Sequence, residues 1–315
     1  MRPALRSLRL VTAAWLACSS LPLAQSAPPI PAAAHNDNTQ LAGTLRDGTL
    51  TVRLEAVSAR WYPEGPNAAS RVVQVFAEEG RAPQVPGPMI RVPEGTAIHV
   101  SIRNRLALPL KLRGLLERPG DAAHVTEIPA GGVRELRFNA GDAGTYFYWA
   151  TTAAEMLTAR RTIDSQLNGG FVVDPPGGGG GAPDRVFIVT EWLDTSVRPA
   201  RFTAAINGGS WPHTTRLTLP FGEAVSWRVI NASFGAHPMH LHGTFYTVES
   251  RGDSGRDTHY GADRRRMVTT ELMEPGSTMA MRWVPDRVGN WLFHCHILGH
   301  VSGDMRHGDM TPDER

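Results

Sequence analysis

The chain has 315 residues, with 32 Lys and Arg against 30 Asp and Glu, a formal net charge of +2. That near balance gives no electrostatic case for nucleic acid or another polyanion as partner. The length suits two ordinary domains.

Taken from the N-terminus, Arg2, Arg6 and Arg9 precede an apolar run from Leu10 through Leu23, and small residues near Ser26 and Ala27 offer a cleavage site. Residues 1–27 therefore read as an export signal, and the protein as periplasmic or secreted. A membrane helix is the weaker reading, because the run is short and interrupted by Ser19, Ser20 and Pro22. Cys18 after Leu16-Ala17 is a faint lipid-attachment signal, with Trp15 where a small aliphatic residue is preferred. Removal of the signal leaves Cys295 as the only cysteine, so no intramolecular disulfide can form. A lone thiol in an oxidising compartment needs protection, which metal ligation provides.

Strand-like alternation recurs in Leu50-Val52-Leu54, Ile98-Val100-Ile102, Val225-Trp227-Val229 and Met279-Met281-Trp283. Gly and Pro cluster between these runs and no long helical period appears, which predicts an all-β fold of sandwiches. Pro175-Pro176 followed by Gly177 to Gly181 reads as a flexible linker. The expected division is a first domain over 36–174, a linker over 175–184 and a second domain over 185–315.

The two halves are similar to each other. Gly132–Phe138 and Gly144–Thr151 align without a gap on the segment from Ser277 to His296, with Gly144 on Gly289 and Phe138 on Trp283. Pro93–Ile98 falls on Pro220–Val225, and Asn104 on Asn231. Such self-similarity predicts a tandem pair of one sandwich.

The second half carries the chemistry. His294-Cys295-His296 is followed by His300 and Met305, and His237-Pro238-Met239-His240-Leu241-His242-Gly243 stands upstream. Side chains alternate across a strand, so Cys295 points one way and His294 and His296 the other; His240 and His242 share a face, with His237 opposite. A soft thiolate, imidazoles and a thioether at this spacing suit a mononuclear blue-copper site, and the remaining histidines suit a second metal position.

Both windows resemble the C-terminal copper motifs of the multicopper oxidases, a family that includes laccases, bilirubin oxidases, ferroxidases and smaller two-domain laccases. The resemblance implies two tandem cupredoxin-like Greek-key β-sandwiches and copper as cofactor. It implies His237, Cys295 and His300 as type 1 ligands with Met305 axial, and Met310 is an alternative for the axial place. It assigns His240 to type 2 copper, and His242, His294 and His296 to the type 3 pair. The reductant would be a small molecule or a metal ion, and the terminal acceptor dioxygen; two-domain relatives build their cluster between subunits of a trimer.

The first half departs from that pattern. Trp149, Ala150 and Thr151 stand where the second half has His294, Cys295 and His296, and Lys111 and Arg113 stand where it has His240 and His242. Lys111 is the only lysine in the chain. A guanidinium has no lone pair to give a metal. By the resemblance a trinuclear cluster takes eight imidazoles, half from each kind of domain, so this half supplies none of its share. Lys111 and Arg113 are either ordinary solvated or salt-bridged residues, or bind an anion or carboxylate beside the histidines. His35, His99 and His124 lie in no matching motif. A last strand like Gly169–Val173 has no counterpart after Met305, which implies a truncated chain or an open axial side. Two functions follow: an exported copper oxidoreductase coupled to dioxygen, alone or with a partner chain, and a copper-binding electron-transfer protein with an incomplete cluster. No motif selects the reductant.

Overall fold

The structure, a computed structural model, describes residues 29–177 and 184–301. The export signal, residues 178–183 of the linker, and the axial candidates Met305 and Met310 lie outside the described residues. What is described is almost wholly strand, with one 3-10 turn at Leu157–Ala159 and one helical turn at Leu298–Val301. The all-β expectation holds.

The first half stacks two five-stranded sheets. One runs in the order Val133–Asn139, Ala97–Asn104, Thr49–Trp61, Thr44–Arg46, with Arg71–Glu78 paired to the far part of Thr49–Trp61. The other runs Gly87–Pro93, Asn168–Asp174, Gly144–Thr151, Leu110–Arg113, Thr126–Ile128. In the second half a seven-stranded sheet is built on Arg185–Asp194, Val225–Asn231, Thr278–Trp283 and Tyr246–Gly252. It faces a three-stranded sheet ordered Thr270–Met273, His237–Leu241, Phe293–Cys295.

The alternation seen in the sequence becomes burial. Ile98, Val100 and Ile102 point into the first core, and Val225, Trp227 and Val229 into the second. Each such side chain removed from water contributes about 1.5–3 kcal/mol. Gly144–Thr151 is buried along its whole length. Tyr146, Tyr148 and Ala150 fill the first sandwich, while Phe147 and Trp149 face the other way and pack with Val186, Ile188 and Ile230 of the second half. A strand covered on both faces reads as a continuous apolar run, as this one does.

Asn104 and Asn231, equivalent in the repeat, are both fully buried. Asn104 donates to the carbonyls of Leu108, Ile128 and Pro129 and accepts the N–H of Leu106. Asn231 donates to the carbonyls of Gly235 and Met273 and accepts the N–H of Ser233. Each amide ties down the loop after its strand, and in the second half that loop leads into His237.

Candidate metal centres

Two strands carry most of the donors. In His237–Leu241, the side chains of His237, Met239 and Leu241 are buried while His240 is partly exposed. Phe293–Cys295 pairs with it so that Met239 is opposite Cys295 and His240 opposite His294. Alternation therefore sends His237 and Cys295 to the inner face and His240, His242, His294 and His296 to the outer one, as expected from parity. His300 arrives from the turn Leu298–Val301.

The inner group is His237, Cys295 and His300, whose donor atoms all lie within 4.8 Å of one another. Cys295 Sγ is 3.4 Å from His300 Nδ1 and accepts the N–H of Ile297 at 3.5 Å. Burial by itself pushes the Cys295 thiol up; the neighbouring imidazoles of His237 and His300 outweigh it and bring the pKa down to about 6. Burial likewise lowers His237, but Cys295 and Glu191 overcome it and raise the imidazole to about 9. The pocket thus favours thiolate beside positive charge. His237 is fully buried, and its Nδ1 has no hydrogen-bond partner among the described residues. An unpartnered buried nitrogen beside a stabilised thiolate is a donor set that a soft transition-metal ion would satisfy.

The outer group is His240, His242 and His294, again with donor atoms within 4.8 Å of one another. His242 Nε2 and His294 Nε2 are 2.9 Å apart. The His296 ring lies 4.9 Å from that of His240 and 5.8 Å from that of His294, so all four outward imidazoles gather in one place. Carbonyl oxygens accept only, so Nδ1 of His240 donates to Thr269 O and Nδ1 of His294 to Cys295 O; each Nε2 then carries the lone pair, and that of His294 faces His242 Nε2. Burial and neighbouring imidazoles hold His240 and His294 below the usual histidine range, which keeps those lone pairs available.

Among the described residues, the first half brings no donor to either group. Lys111 is paired with Glu155 at 2.5 Å, as in the salt-bridged alternative. Arg113 lies over Trp149, 4.6 Å from the ring centroid, and donates to Glu155 O. Thr151 is fully buried. Register differs too: Trp149 is opposite Arg113, whereas His294 is opposite His240, a slip of two residues relative to the sequence alignment. His99 pairs with Glu135, and His35 with Tyr62 O. Neither they nor His124 joins a metal-competent group.

Three residues escaped the sequence reading. Phe202 stacks on His300 with ring centroids 5.0 Å apart. Ser233 Oγ is 2.9 Å from His237 Nε2, and Glu191 Oε1 is 3.3 Å from the same atom. Glu191 did leave a signal: it is the one acidic residue inside the apolar run Val186–Leu193.

Two family models described as multicopper oxidase match the chain, over residues 77–177 and 189–312. The chain belongs to the multicopper oxidase family. Among its relatives is the iron transport multicopper oxidase fio1 of Schizosaccharomyces pombe, 32% identical over 100 residues, covering 30% of this chain and 16% of that one. A probable nitrite reductase-hydroxylamine oxidoreductase fusion protein of Kuenenia stuttgartiensis is 24% identical over 259 residues, or 73% of this chain and 28% of that one. The chain thus matches less than a third of the length of these relatives. Among solved structures, the blue copper oxidase of Nitrosomonas europaea superposes with a TM-score of 0.64 at 21% identity, covering 79% of this chain and 80% of that one. The fold is that of tandem cupredoxin domains, and copper is the metal of the family. No helix among the described residues is long and apolar enough to cross a membrane.

Proposed function

We propose that the protein is an exported copper-dependent oxidoreductase that withdraws single electrons from a small-molecule or metal-ion reductant. His237, Cys295 and His300 would hold a type 1 copper, with Met305 as a further sulfur donor, and His240, His242, His294 and His296 would hold further copper of the type 2 and type 3 kind. The observation that carries this reading is the inner pocket: donor atoms of His237, Cys295 and His300 within 4.8 Å of one another, with a buried His237 Nδ1 unpartnered among the described residues. Copper bound there supplies a reversible one-electron couple tuned by its sulfur donor.

The chain's own residues supply position and enclosure. Met239 and Trp227 belong to the core cluster against which Phe293 and Cys295 pack, so the thiolate is partly shielded from water. His294 and His296 flank Cys295 in sequence, so a single residue of backbone joins the inner and outer donor groups. Export is supported by the basic and apolar residues 1–27.

A second reading, electron transfer or copper binding without oxygen chemistry, is favoured by the first half. Reduction of dioxygen to water consumes four electrons, and the positions equivalent to the outer imidazoles are the paired Lys111, the stacked Arg113 and Trp149, and the buried Thr151. Copper analysis, paramagnetic resonance and oxygen uptake on the purified protein separate the two. The expected result is fewer than four coppers per chain, a type 1 signal and little oxygen uptake. Four coppers with laccase-like uptake would establish the full oxidase and require donors outside the matching motifs, such as His99 or His124, or from a partner chain.

A further inference from the structure

Glu191 connects the two imidazoles of the inner group from behind. Its Oε1 lies 3.3 Å from His237 Nε2 and 3.5 Å from His300 Nε2, and its side chain is 1% exposed. Its other oxygen, Oε2, accepts the N–H of Gly235 at 2.8 Å. Gly235 is shaped for that contact: a Cβ there would sit 2.8 Å from Glu191 Oε2 and 2.9 Å from Oε1. Oε1 makes no hydrogen bond among the described residues, which leaves it free to take ring N–H groups, and the two Nε2 atoms lie beside it. His300 meanwhile shows Nδ1 to Cys295 Sγ. The order is therefore thiolate, then imidazole, then carboxylate.

We infer that Glu191 is a positioning residue for the inner centre: one buried carboxylate holds Nε2–H of both His237 and His300, presents both Nδ1 atoms to the metal, and lowers the reduction potential. The inference rests on the copper reading of His237, Cys295 and His300. A carboxylate behind a metal-bound imidazole fixes its tautomer and makes it a stronger donor. A negative group a few ångströms from the ring edges also favours the more positively charged, oxidised metal. Sharing one carboxylate couples the two rings, so a shift in either is felt by both. Ser233, whose Oγ is 2.9 Å from His237 Nε2, serves only the first ring and leaves His300 dependent on Glu191.

The test compares the copper-loaded wild-type protein with Glu191→Gln and Glu191→Asp, by redox titration followed in the visible band and by paramagnetic resonance. In Glu191→Gln the amide keeps the size and loses the charge. The expected result is at least a tenfold rise in the reduced-to-oxidised ratio at fixed solution potential, about 59 mV for a one-electron couple, with an altered copper hyperfine pattern. Glu191→Asp retains the charge at shorter reach, so its potential should fall back toward the wild type while its hyperfine pattern stays altered. A potential and spectrum unchanged in Glu191→Gln overturn the inference, and so does a Glu191→Asp protein shifted as far as the amide variant. If Glu191→Gln does not fold, a wild-type spectrum in Glu191→Asp overturns it. Failure of the wild-type protein itself to give a thiolate-copper band instead overturns the copper reading, a separate outcome.

Discussion

Gly114 and Gly243 hold the same left-handed backbone, φ +79° and +75°, one residue beyond Arg113 and His242 respectively. A Cβ on Gly114 would lie 2.2 Å from Phe147 O, and one on Gly243 2.1 Å from the Trp291 ring. The glycine thus survives in the first half for the sake of the turn, although the imidazoles beside it have been exchanged for Lys111 and Arg113. By contrast Gly222, φ +76°, has no atom within 4 Å of its Cβ position. Gly222→Ala should cost about 1 kcal/mol of backbone strain. Gly114→Ala should cost about 2 kcal/mol beyond that, for pushing aside a neighbouring strand. Urea unfolding of the two variants checks the difference, and equal costs would contradict the close approach.

Cys295→Ser should leave the copper-treated protein colourless. A serine hydroxyl is harder and poorly ionised, so the sulfur-to-copper charge-transfer band has no origin. A visible spectrum unchanged from wild type would remove the type 1 assignment.

Met305→Leu should raise the reduction potential and preserve the blue colour, since loss of a weak axial thioether favours the reduced ion. Redox titration of Met305→Leu beside Met310→Leu identifies the axial residue. An upward shift in the Met310 variant alone would transfer the role to Met310.

Ile188 is fully buried in the cluster that joins Met89, Phe147 and Trp149 of the first half to Ile230 of the second. Ile188→Ala should destabilise the protein by about 2–5 kcal/mol. Because its cluster belongs to both sandwiches, the expected denaturation curve remains a single transition with a lower midpoint. A curve that splits, with the first sandwich unaffected, would show that the shared core does not couple them.

Arg113→Ala should cost about 0.5–1 kcal/mol through loss of its stack on Trp149, with no change in copper content. A fall in bound copper on metal analysis would mean that the first half contributes to metal binding after all.

Much of this was legible in the sequence because it depends on parity. Period-two alternation around Cys295 separates the inner donors from the outer imidazoles, whatever the curvature of the sheets. The same alternation located Ile98–Ile102 and Val225–Val229 as core strands. What alternation cannot reveal is contact between distant elements. Glu191 reaches His237 and His300 across 46 and 109 positions of sequence, and only the packing of Arg185–Asp194 beside Val225–Asn231 brings them together. Lys111 was left ambiguous for a similar reason: its partner Glu155 lies in an irregular segment that no periodicity describes. The two-residue slip between Trp149 and His294 is equally invisible, since it preserves parity on both strands.

The amide of Asn231 has one more consequence. Asn104 closes its own loop by the same kind of bonds in a sandwich that holds no metal-competent group among the described residues. The curve of backbone that delivers His237 is therefore closed by bonds that need no ion, so loss of metal should leave that curve in place.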